Sequence, residues 1–153
     1  MDKSSYVVLA SEIRSQLDHV DAVHALVEQR AGEQGPAGVE SLGFQLHNFY
    51  CACEDLFEII ASAFENNIET GGGYHVELLK RMRMPISGVR PRVASDELFA
   101  LLDSLRGFRH VFRHAYGVPL DERKVRVVLD DARSTHQILR DEIESFLASF
   151  QVR

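Results

Sequence analysis

Apolar residues recur at three- and four-residue steps along most of this chain, the spacing that lines one stripe of a helix. Val8, Leu9, Ile13, Leu17, Val20, Val23, Leu26 and Val27 make the first stripe, on a helix capped by Ser4 or Ser5 and running to about Ala31. The stretch Gly32 to Gly38, with Gly35 and Pro36 inside it, reads as a loop. Leu42, Leu46, Phe49, Cys53, Leu56, Phe57, Ile60 and Phe64 repeat the period and predict a second helix from about Ser41 to Asn66. Gly71-Gly72-Gly73 breaks the chain, and a short third helix follows from Tyr74 to about Met82. Pro85, Gly88 and Pro91 make an extended connector. Ser95 caps a fourth helix, with Asp96 and Glu97 in its first turn, where acidic side chains meet the positive end of the helix dipole. That helix carries Leu98, Phe99, Leu101, Leu102, Leu105 and Phe108, and Gly117 and Pro119 stop it. Asp121 caps a fifth helix to about Phe150. No strand pattern, internal repeat or low-complexity tract stands out. Long helices on short links predict an all-α, up-and-down bundle of four to five helices with these stripes as its core.

Length leaves this picture intact. The 153 residues are expected to form one domain, 1–153, large enough to bury a core without disulfide or metal. Cys51 and Cys53, two apart on a helix, point about 200° from each other and are poorly placed to bridge. They read as reduced packing residues, which fits a cytoplasmic location. The start of the chain has no secretory pattern, and no apolar run approaches the ~20 residues of a membrane span, so no membrane partner is expected.

Charge does change the picture. The net charge of −6 is unevenly spread: residues 1–79 carry −10, residues 80–126 carry +6 and residues 127–153 carry −2. The basic third is a candidate footprint for nucleic acid. It centres on Arg109-His110-Val111-Phe112-Arg113-His114-Ala115-Tyr116. A guanidinium grips phosphate bidentately and stays charged, and an imidazole moves protons near neutrality. A turn of ~100° per residue puts Arg109, Arg113 and Tyr116 on one face, with Arg106 and His110 beside them. Arg109 and His114 fall about 140° apart, so one regular helix does not converge them on a single phosphate. Either the helix unwinds near its end, or two copies of the segment meet across a two-fold axis.

Blander readings accompany each residue. His110 and His114 are spaced like a zinc pair, but two ligands make no structural site, and no metal or cofactor is implied. The lesser readings are His114 as a hydrogen-bonded core histidine and Tyr116 as a packing residue near a helix end. His47, with Asn48 on the second helix, could face the motif, though a structural role is the stronger reading. Ser62, Ser104 and Cys51 show no nucleophile setting. Gly71-Gly72-Gly73 lacks the Lys and Ser/Thr of a phosphate loop.

The pattern Arg109-x4-His114-x-Tyr116, with polar His110 directly after the arginine, resembles the signature of the HEPN superfamily, and within it the HepT-like ribonuclease toxins. Leu105 to Val118 looks like the motif segment and its exit turn. Phe44 to Tyr50, continuing through Glu54-Asp55-Leu56-Phe57, looks like the second helix of those proteins. The resemblance implies a metal-independent RNA endonuclease, the toxin of a toxin–antitoxin pair, working as a homodimer with facing motifs. Arg109 and His114 would be its catalytic pair, with Arg106, His110 and Arg113 on the RNA backbone. His114 would take the ribose 2′-hydroxyl proton and Arg109 would stabilise the growing phosphoryl charge. Tyr116 would receive AMP from an MNT-type nucleotidyltransferase antitoxin. The alternative is a non-catalytic HEPN module that binds nucleotide or protein.

Overall fold

A computed structural model describes residues 1–65 and 73–150. Those residues form an all-α bundle: α1 Lys3–Ala31, α2 Gly35–Phe64, α3 Tyr74–Arg83, α4 Asp96–His114 and α5 Glu122–Ser149. The described residues contain no strand, only an isolated bridge between Ile86 and Arg90 in the α3–α4 connector.

α2 is the axis of the bundle and packs against all four other helices. Leu42, Leu46, Phe49, Tyr50, Leu56, Phe57 and Ile60 are all fully excluded from solvent. A helix with neighbours on every side must be apolar around most of its circumference. α1 and α5 each present a narrower stripe. On α1 this is Leu9, Ile13, Leu17, Val20, Val23 and Val27, whereas Val8 and Leu26, expected in the stripe, are exposed. Each sits next in sequence to a buried residue, and ~100° of turn carries it off the contact face.

The starts of α1 and α2 differ from expectation. The cap of α1 is Asp2, not Ser4 or Ser5: its carboxylate accepts from Ser5 N at 3.0 Å and Ser5 Oγ at 2.7 Å. α2 begins at Gly35, six residues before Ser41. Pro36 lies in its first turn, where a missing N–H costs nothing and the fixed φ suits a helix. The loop therefore shrinks to Gly32–Gln34. The expected end of α2 at Asn66 lies outside the described residues, as do Gly71 and Gly72. Gly73 is described and precedes α3 with φ +85°, a left-handed conformation that suits glycine.

The connector between α3 and α4 is tied down by Arg90, whose side chain is 0% exposed. Its Nε donates to Glu65 Oε1 at 3.0 Å, and Nη2 to the same oxygen at 2.5 Å and to Arg81 O at 2.9 Å. Nη1 donates to Met84 O and Pro91 O at 3.0 and 3.1 Å. Val93 N and Ala94 N both reach Met82 O at 3.0 Å. The end of α2, the end of α3 and the entry to α4 are thus held by one guanidinium. The expected caps of α4 and α5 are present. Ser95 Oγ accepts from Leu98 N at 3.1 Å, and Asp121 accepts from Arg123 N at 2.9 Å. Glu142 of α5 accepts from Ser95 N and Oγ at 2.6 and 2.8 Å, which joins α5 to the start of α4.

Candidate functional site

α4 buries Leu98, Leu102, Leu105 and Phe108 at four- and three-residue steps. That stripe fixes where every neighbouring side chain points. Arg109 follows Phe108 and is half-buried at the seam with α2, its Nε shielded and without a hydrogen-bond partner among the described residues. Arg106 is half-buried and paired with Asp103 at 2.9 Å. His110, Arg113 and His114 are exposed. Close approach of α2 to this end of α4 depends on Gly43. A Cβ there would stand 2.8 Å from Leu120 Cδ1 and about 3.5 Å from the Phe112 ring.

The His114 ring is oriented by its own helix. Its Nδ1 stands 2.8 Å from His110 O. A carbonyl only accepts, so Nδ1 carries the proton and Nε2 is the proton-accepting nitrogen of the neutral ring. The His110 and His114 rings stand 4.5 Å apart at 37°. Among the described residues no group of three or more His, Cys, Asp or Glu stands together as metal ligands.

Tyr116 is not on the helix. α4 ends at His114, Ala115 is its cap, and Val118 N returns to Ala115 O at 3.2 Å in a turn. The expected face shared by Arg109, Arg113 and Tyr116 therefore holds for the two arginines only. Gly117 and Pro119, which end the helix, project the phenol outward, and Tyr116 is 95% exposed. Phe44 of α2, Val111 of α4 and Val118 are also exposed near this end of the bundle.

Behind Arg109 lies a polar layer on α2. Cys51 Sγ is 3.7 Å from His47 Nε2. The His47 ring lies against Phe112, with centroids 5.2 Å apart at 26°. Burial lowers the His47 pKa, and the Arg109 and Arg113 charges lower it further, so the neutral imidazole is favoured. Burial raises the Cys51 pKa, partly offset by the adjacent Arg109 guanidinium. One turn deeper, Tyr50 donates to Glu54 Oε2 at 2.7 Å, and His75 Nδ1 stands 2.8 Å from both carboxylate oxygens. Burial, then Glu54, drive the Tyr50 phenol far above its ordinary range.

Residues 41–150 match the family model described as HepT-like protein. The chain belongs to the HepT-like family. Within the HEPN superfamily, the matched span of this HepT-like chain runs from α2 to the end of α5 and contains the whole Arg109–Tyr116 segment. No curated protein and no solved structure matches the chain. None of the helices is long and apolar enough to cross a membrane, among the described residues.

The structure brings Arg109 of this HepT-like chain against α2 and leaves His114 and Tyr116 facing solvent. Arg109 is half-buried and His114 exposed on the same helix, and no hydrogen bond or ion pair joins the two among the described residues. The α2 layer was not assigned to the site from sequence. His47, Cys51 and Glu54 occupy positions of a buried helix, where small and polar residues read as packing. Only the four-residue steps His47–Cys51 and Tyr50–Glu54 hinted that polar atoms share a face.

Proposed function

We propose that this HepT-like chain is a metal-independent RNA endonuclease, the toxin of a toxin–antitoxin pair. The observation that carries the reading is the division of labour on α4. Arg109 is half-buried at a helix seam with its Nε shielded, and a charge partly withdrawn from water acts more strongly on a phosphate. His114 stands free in solvent with Nε2 available as a base. In the reaction, His114 Nε2 takes the proton of a ribose 2′-hydroxyl, and the oxygen attacks the adjacent phosphorus. Arg109 stabilises charge on the phosphoryl oxygens. The bond to the 5′-oxygen breaks, that oxygen takes a proton from water, and a 2′,3′-cyclic phosphate remains. Arg106, His110 and Arg113 hold the RNA backbone.

On a regular helix Arg109 and His114 point about 140° apart, which supports a working site assembled by two copies with their Arg109–Tyr116 segments facing. The exposed Phe44, Val111 and Val118 supply apolar surface for that contact. Tyr116 is the AMP acceptor for an MNT-type nucleotidyltransferase, and the added phosphodiester would compete for Arg109 and Arg113.

The test is cleavage of single-stranded RNA in excess EDTA, with analysis of the ends. Arg109→Ala and His114→Ala should each lose activity, on the order of 10²–10³ for the arginine. Parent-like cleavage by both variants, or loss of cleavage on chelation, refutes the mechanism. No cleavage by the parent, with retained nucleotide or protein binding, favours the binding-module reading.

A further inference from the structure

Among the described residues, two shielded polar atoms at the α2–α4 seam have no hydrogen-bond partner: Arg109 Nε and His47 Nδ1. A buried polar atom without a partner costs about 1–3 kcal/mol, so each calls for a reason beyond packing. His47 is held on several sides by the turn that carries Arg109. Phe112 lies on its ring face, the Arg113 charge acts on it from the same helix, and its Nε2 meets Cys51 Sγ at 3.7 Å. Cys51 in turn lies beside the Arg109 guanidinium. The run from guanidinium to thiol to imidazole has a consistent direction. Arginine only donates, a thiol accepts through sulfur and donates through its S–H, and a neutral imidazole nitrogen accepts.

We propose that His47 is a positioning residue: with Cys51 it forms the seat that holds the inner edge of Arg109 and so aims its outer edge at a phosphate. A long arginine on a helix surface would otherwise sample many rotamers, and a charge stabilises a transition state only where it is already in place. The neutral ring suits this task, because a cationic imidazole beside Arg109 and Arg113 would push the guanidinium away. His47 does not itself touch the reacting atoms. The proposal rests on Arg109 being the phosphate-handling group, as argued above.

The test compares His47→Leu with His47→Gln in the full chain. Leu fills the site and removes the polar ring, while Gln returns a polar group near the Nε2 position. His47→Leu should be as stable as the parent or more so, because it removes an orphaned polar atom. Its RNA cleavage at saturating substrate should nevertheless fall on the order of tenfold to a hundredfold with KM little changed, the signature of a misplaced group. His47→Gln should recover most of that rate. The Arg109 Nε–H resonance in a proton–nitrogen correlation spectrum, assigned by its loss in Arg109→Lys, reads the seat without any activity. It should be sharp in the parent and in His47→Gln, and shifted or exchange-broadened in His47→Leu. An unchanged resonance and an unchanged rate in His47→Leu would overturn the proposal, and so would a rise in KM alone. A changed resonance in a protein whose parent cleaves no RNA keeps the seat and sinks the ribonuclease reading.

Discussion

Replacing Arg90 by Met should be among the most damaging single changes outside the core. The five N–H donors of a guanidinium are all used here: two on Glu65 Oε1 and one each on the carbonyls of Arg81, Met84 and Pro91. Met matches much of the length and supplies none of them. Among the described residues, Glu65, 4% exposed at its side chain, would be left with its contact to Arg81 Nε, 2.8 Å from Oε2. Removing one partner of a buried ion pair costs about 3–5 kcal/mol. A natural domain is stable by only about 5–15 kcal/mol in total, so a large share would be lost. At roughly 2–4 °C per kcal/mol for a chain of this size, the melting temperature should fall by about 6–20 °C. The assay is urea unfolding followed by helical circular dichroism at neutral pH. The double variant Arg90→Met/Glu65→Leu removes the stranded carboxylate and should be more stable than Arg90→Met alone. A single variant within about 1 kcal/mol of the parent would refute the reasoning, as would a double variant no better than the single.

Stability should also fall on mild acidification. Burial, then the stacked His136 ring 3.7 Å away, lower the His24 pKa below 6.5, and His47 is lowered as well. Both rings therefore bind protons more weakly folded than unfolded. Their stabilising effect is complete above pH 6.5 and is lost as pH drops below it, so the urea midpoint should be lower at pH 5.5 than at pH 7.5. A midpoint that does not move across that window rules this out. Gly43→Ala should stay within about 1 kcal/mol of the parent, since the helix-propensity gain offsets a shift of the flexible Leu120 end. Gly43→Val should cost about 1–3 kcal/mol by overpacking the α2–α4 seam, and thermal melts of the pair decide it. With a cognate nucleotidyltransferase co-expressed, intact mass should show added AMP that Tyr116→Phe abolishes while RNA cleavage survives. AMP on another residue counts against the assignment.

The helices were legible because their signals are local. Stripes at three- and four-residue steps marked α1, α2 and α4, chain breakers bounded α3, and Ser95 and Asp121 were readable caps with their acceptors in place. The start of α2 was not legible, since Gly35 and Pro36 break most helices yet suit a first turn. Nor was the role of Arg90, because its carboxylate partner lies 25 residues away and nothing nearby in sequence marks a buried cation. The Arg109–Tyr116 segment was visible as a pattern, but the partial burial of Arg109 against α2 was not. Whether a helix residue meets solvent or a neighbour depends on which helices pack beside it. For the same reason His47 could be read from sequence only as able to face the motif; its place against Phe112 appears when α2 lies along α4. Tyr116, placed on a helical face by counting, sits instead on a turn, because α4 stops at His114, short of Gly117 and Pro119.

The Nδ1 bond of His114 to the His110 carbonyl has a consequence for how this site tolerates change. Catalytic histidines are commonly aimed by a carboxylate side chain, which a single substitution can remove. Here the aiming group is main chain, one turn back on the same helix. No codon change at His110 deletes that oxygen, so the tautomer survives any side-chain drift that leaves the last turn of α4 helical. The vulnerability moves from chemistry to backbone: a proline at His114 itself aside, the changes to fear are those that unwind the helix end. Sequence variation around His114 can thus be wide where it spares helix geometry, and a lineage could retune the neighbouring surface without losing the orientation of the His114 ring.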